Sequence, residues 1–105
     1  MNIGRKSGIQ ELEFDSGHTD PVNVGTVAAA FLWADAVGTD FTIEGARDPD
    51  DSFTELLDTD GTQLTISLVA NKWVLVPEKA MAFGGFIRFV GLGTFTGPLR
   101  ICMKG

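Results

Sequence analysis

The stretch from Phe41 to Leu68, FTIEGARDPDDSFTELLDTDGTQLTISL, decides the fold. Phe41, Ile43 and Gly45 alternate with Thr42, Glu44 and Ala46, the period of a strand with one buried face. An acidic turn follows, then the strand-like SFTELLD, then Asp60-Gly61. Both turn residues tolerate positive φ, so the pair signals a hairpin. Beyond it, Leu64, Ile66 and Leu68 alternate with threonine and serine as in a half-buried strand.

Working outward, the same punctuation recurs. Asn71-Lys72 leads into WVLVP, where Pro77 must close the strand or lie at an edge. PEKAMAFGG has room for one helical turn before its glycines. FIRFVG and PLRICMK supply two final strands. Upstream, IQELEF reads as a first strand, and Asp15 to Gly25 as a long loop of turn-formers. TVAAAFLWA is ambiguous. Its alanines favour helix, but Val27, Ala29, Phe31 and Trp33 recur at period two, and we read it as a buried strand.

About eight strands with turns at short spacing define an all-β chain, an antiparallel β-sandwich or jelly roll. No helix is long enough to cover a sheet, so the core must form between two sheets. The expected core is Phe14, Phe31, Phe41, Ile43, Leu64, Ile66, Trp73, Leu75, Ile87, Phe89, Leu99 and Ile101. With 105 residues the chain fits one domain, residues 9–105, preceded by a flexible arm, residues 1–8.

Charge narrows the partners. The net charge is −6, and six of the fourteen acids lie between Asp48 and Asp60. Such a surface repels phosphate backbones and anionic lipid, so neither nucleic acid nor a membrane is an expected partner. The longest apolar run, Val27 to Trp33, is too short to span a bilayer, and no signal-peptide pattern opens the chain. The single cysteine, Cys102, rules out an internal disulfide and points to folding in the cytosol.

Catalytic residue types are sparse, and no enzyme activity is expected. His18 is the only histidine and lies among loop residues, and no serine stands in a nucleophile-elbow context. Cys102 falls in the last strand as a packed thiol, without a cationic neighbour in sequence except Arg100. Asp48, Asp50, Asp51, Asp58 and Asp60 are the one candidate Ca²⁺ set, weighed against two solvated turns whose aspartates accept backbone N–H bonds. They lack EF-hand spacing. No cofactor is expected, since Gly84-Gly85 and Gly91-Leu92-Gly93 do not lead into helices. Trp33 and Trp73 sit at periodic strand positions, which assigns them to the core rather than to a sugar platform. Phe83, Phe86 and Phe95 form an apolar region near the C-terminal glycines, and Arg5 and Lys6 a basic spot on an acidic chain. These five are the candidate interface residues.

From Glu11 to Lys104 the chain resembles small virion proteins of tailed phages and prophages. The resemblance rests on TIEGARDPDDSF at Thr42 to Phe53, DTDGT at Asp58 to Thr62, WVLVP at Trp73 to Pro77, FGGFIRF at Phe83 to Phe89, and the R-x-C terminal strand. It implies a capsid decoration (cement) protein that binds the outer shell where capsomers meet. Its partners would be the major capsid protein and its own copies, a trimer before a dimer. Its place would be the virion surface, after assembly in the host cytoplasm. A small tail or neck protein, or a carbohydrate-binding sandwich on a virion surface or tail fibre, are the alternatives. No catalytic residue comes with the resemblance.

Overall fold

The computed structural model describes residues 9–15, 17–35, 40–91 and 99–104. Arg5, Lys6 and Phe95 therefore lie outside the described residues, as does the arm expected over residues 1–8. Two antiparallel sheets carry the chain, as expected for an all-β sandwich. The four-stranded sheet has the order β1 (Ile9–Leu12), β11 (Leu99–Lys104), β5 (Ala29–Ala34), β9 (Val74–Leu75). The seven-stranded sheet runs β2 (Phe14–Asp15), β3 (His18–Thr19), β10 (Phe86–Gly91), β6 (Asp40–Ala46), β7 (Thr54–Glu55). In addition, β4 (Val22–Asn23) pairs with β10, and β8 (Thr65–Ser67) with β6. Among the described residues one short helix, α1 (Glu78–Met81), begins just after Pro77. It is the one-turn helix expected there. No helix of the described residues is long and apolar enough to cross a membrane.

The N-terminal region holds more strand than its composition suggests. IQELEF is not one strand: it breaks at Glu13, so β1 joins one sheet and β2 the other. The expected loop from Asp15 to Gly25 contains β3 and β4, two-residue strands that line the free edge of β10. Between them the N–H of Phe89 would be left without a ladder partner. The buried hydroxyl of Thr19 accepts it at 3.0 Å and donates to the Asp20 carbonyl at 3.1 Å. A side chain thus fills the gap where two short strands meet, which satisfies a donor that would be costly to bury alone.

The hairpin at Asp60-Gly61 forms by a different turn than expected. Only Gly61 has positive φ, at 85°. Its N–H donates to the Asp58 carbonyl at 2.9 Å, while the Asp58 N–H donates to Thr62 at 2.8 Å. This is a three-residue loop with a glycine bulge, so Asp60 stays in the ordinary half of backbone space.

Seven expected core residues are buried: Phe41, Ile43, Ile66, Ile87, Phe89, Leu99 and Ile101. Phe14 and Leu64 are half-buried and pack against them. Phe31, Trp73 and Leu75 correct the expectation, being 40%, 41% and 46% exposed. In β5 the buried phase is Ala30, Leu32 and Ala34, and beside β9 the buried residue is Val76. The cause is volume. Phe41 and Phe89 project from the seven-stranded sheet, and Ala80 and Met81 of α1 are buried as well. The facing sheet can then offer only alanine-sized and aliphatic side chains at close-packed density.

The two phases of β5 should respond differently to truncation. Leu32→Ala should lower unfolding stability by ~2–5 kcal/mol. Phe31→Ala should cost about 1 kcal/mol or less, the scale of a cross-strand surface contact. Urea denaturation of both variants checks the assignment.

Candidate functional site

Sheet register builds the outer face of the four-stranded sheet from four distant parts of the chain. Ile9 pairs with Cys102, Cys102 with Phe31, and Phe31 with Leu75. These four side chains form one row across the strands. Ile9 is 63% exposed, and with Phe31, Trp73 and Cys102 it lines a shallow depression of about 290 Å³. The next row holds Glu11, Arg100, Trp33 and Trp73. Arg100 Nε lies 3.6 Å from Glu11 Oε2, and its guanidinium sits 4.7 Å over the Trp33 ring. The Trp33 and Trp73 rings are 6.4 Å apart, tilted by 44°. The face is thus an apolar row beside a row of aromatic and paired charged groups.

The outer face of the seven-stranded sheet is finished differently. Arg88 of β10 pairs with Glu44 of β6 at 2.7 Å, and Phe53 folds over the guanidinium at 4.6 Å. Both charged side chains are mostly covered. Phe86 is half-buried in the same outward row of β10. This sheet covers its own polar groups; the four-stranded sheet leaves large apolar ones bare.

A second uncovered apolar surface lies at one end of the sandwich. An open groove of about 380 Å³ runs between Leu56, Leu57, Leu64, Ala82 and Phe83, with Asp58 and Lys79 at its rim. Phe83 needs glycine beneath it. A Cβ on Gly45 would come within 2.8 Å of the Phe83 ring and 2.9 Å of Leu56, and one on Gly85 within 2.8 Å of the same ring. Phe83 therefore packs at the inner edge of the sheet, while Phe86 faces outward. The two candidate interface phenylalanines belong to different surfaces.

The groove rim is clamped electrostatically. Lys79 at the start of the helix donates to Asp58 in the hairpin turn. That bond and the Thr59 N–H hold the Asp58 carboxyl below its ordinary value of 3.8, and the same bond with the Asp58 charge holds the Lys79 ammonium above 10.5. Asp60 is also lowered, chiefly because it accepts the Thr62 N–H at 2.9 Å.

The Ca²⁺ candidates fall in two separate turns. Asp51 accepts the Ser52 N–H at 3.0 Å, and Asp58 and Asp60 are engaged as above. Among the described residues no group of three or more potential ligands is arranged to hold a metal ion. His18 is on β3 and half-buried. Its Nδ1 lies 2.9 Å from the Thr19 carbonyl, which can only accept, so Nδ1 carries the proton. Cys102 is half-buried within the outer apolar row.

Trp33, Trp73, Phe31, Leu75, Ile9 and Arg100 were not legible as site residues in sequence. A signal existed: β5 and the segment around β9 are apolar in both phases, as strands buried on both faces are. In a two-layer protein, one of those faces is left for something else to cover.

No protein-family model, curated protein or solved structure matches this chain.

The clamp predicts a pH dependence. A lowered carboxyl contributes stability that is complete above its unfolded value and is lost as pH falls through the folded one. Wild-type thermal stability should therefore drop below about pH 4 more steeply than that of Asp58→Asn. At pH 7 the variant should melt slightly lower, because the Lys79 contact is exposed and screened. Melting curves from pH 2.5 to 7 compare the two.

Proposed function

We propose that this protein is a non-enzymatic virion component, a decoration (cement) protein that binds the outer surface of an assembled capsid. The observation that supports it best is that a small acidic sandwich leaves two apolar surfaces uncovered. One is the outer face of the four-stranded sheet; the other is the groove between Leu57 and Phe83. A protein with one ligand needs one such surface. A protein that reinforces a lattice has to hold the shell and also be held by neighbours, and linked contacts multiply weak affinities. The resemblance of the strand-turn-strand motifs to those of small phage virion proteins favours the same setting.

In this reading the sandwich end docks on the shell, with Leu57 and Phe83 as its anchors. The acidic turns at Asp48 to Asp51 face solvent and keep the decorated particle soluble. Co-sedimentation with expanded shells of the same genome's major capsid protein tests this. Wild-type protein should pellet saturably, at a fixed copy number per shell subunit. Leu57→Glu, at a side chain 56% exposed, should weaken pelleting by about tenfold or more, as for loss of an apolar anchor. No pelleting with well-formed shells overturns the reading.

A carbohydrate-binding module is the second reading, favoured by the partly exposed Trp33–Trp73 pair beside Arg100 and Glu11. Aromatic rings flanked by charged hydrogen-bonding groups are what a sugar ring stacks on. Against it, the Arg100 guanidinium already covers a Trp33 face. Titrating a glycan panel against tryptophan emission, with and without Ca²⁺, should give no saturable change. A saturable change lost in Trp73→Ala would put the sugar reading first.

A further inference from the structure

We infer that the outer face of the four-stranded sheet is a self-docking surface, covered by the same face of a second copy of this chain. The inference rests on reading the chain as an assembly component and names the occupant of one of its two apolar surfaces.

Charge selects the occupant. The chain carries net −6, so two copies repel across most of their surfaces. Within the four strands themselves, the outward-facing charged side chains are Glu11, Arg100 and Lys104, with the acids Glu13 and Asp35 just beyond the ends of β1 and β5. It is a face where two acidic copies meet without setting carboxylates against one another, and Glu11 is already held by Arg100.

The rows also fit themselves. Consider a two-fold axis running along the strands between β11 and β5. It lays Ile9 of one copy over Leu75 of the other, Cys102 over Phe31, Arg100 over Trp33 and Glu11 over Trp73. Apolar groups meet apolar groups in one row, and the Glu11–Arg100 pair meets the two tryptophans in the other. An axis running across the strands through the apolar row would set Arg100 against Lys104, a like-charge contact. The first arrangement is isologous, so the face joins copies in pairs. A trimer would need a different, heterologous contact.

Area sets the strength. Strands of four, six, six and two residues, about 4.8 Å apart at ~3.3 Å per residue, give a face of roughly 300 Å². A stable stand-alone interface removes about 800 Å² per partner, so this pair is weak in dilute solution. High local concentration on a shell would populate it, as for any linked weak contact.

Sedimentation velocity of the full-length protein, without shells, provides the test. The sedimentation coefficient should rise from monomer toward dimer between ~10 µM and ~1 mM, the range expected of so small an interface. Ile9→Glu and Leu75→Glu, on two different edge strands, should each shift the midpoint at least about tenfold. Thermal melts should show that both variants remain folded. Leu57→Glu, at the other apolar surface, should dimerise like wild type. A monomer over the whole range overturns the inference, and so does a dimer indifferent to both Ile9→Glu and Leu75→Glu. Dimerisation is measured without shells and pelleting with them, so either proposal can fail while the other stands.

Discussion

The structure depends on how two phenylalanines fill one interior. Phe41 and Phe89 project from neighbouring strands of the seven-stranded sheet and are almost fully buried. Close packing then fixes what the opposite sheet can present: Ala30, Leu32 and Ala34 from β5, Leu99 and Ile101 from β11, Val76 beside β9. Side-chain direction alternates strictly along a strand, so the inward choice determines the outward one. With alanine inside on β5, Phe31 and Trp33 must stand outside. The bare face is thus a consequence of the core and not a separate feature laid on its surface.

That dependence explains what could be read in advance. Strands β6, β8 and β11 alternate between apolar and polar and β10 carries Arg88 in its outward phase, so their inner faces are legible, and the seven buried residues named from sequence come from these strands. The errors fall where both phases are apolar. In AAFLWA and WVLV, size suggested that Phe31, Trp73 and Leu75 point inward, since larger side chains gain more from burial. Which phase wins is settled by the volume the other sheet has already used, and that is a tertiary quantity. The short strands β3 and β4 were hidden for another reason: two-residue strands have no periodicity to detect.

The two finished ends of the molecule show contrasting treatments of charge. On the seven-stranded sheet, Arg88 and Glu44 satisfy each other beneath Phe53. At the groove, Lys79 and Asp58 tie the helix to the hairpin in the open. Exposed pairs contribute little stability, so the groove clamp serves mainly to set the spacing of the walls around Leu57 and Phe83. The acidic turns, by contrast, spend their carboxylates on their own backbone N–H groups. They shape loops locally and still leave a negative surface.

The row Ile9, Cys102, Phe31, Leu75 has a consequence in time. Its members lie in sequence order 9, 31, 75, 102, but in space the last to be made sits between the first two. Strand β11 bridges β1 and β5, so β1 cannot join the β5–β9 pair until residues 99–104 are available. A chain that lacks those residues can pair Phe31 with Leu75 but has no complete row to offer. Pairings this remote in sequence also close slowly. The full apolar row therefore comes into being only once β11 is in place, which limits how far shorter nascent chains can meet through it.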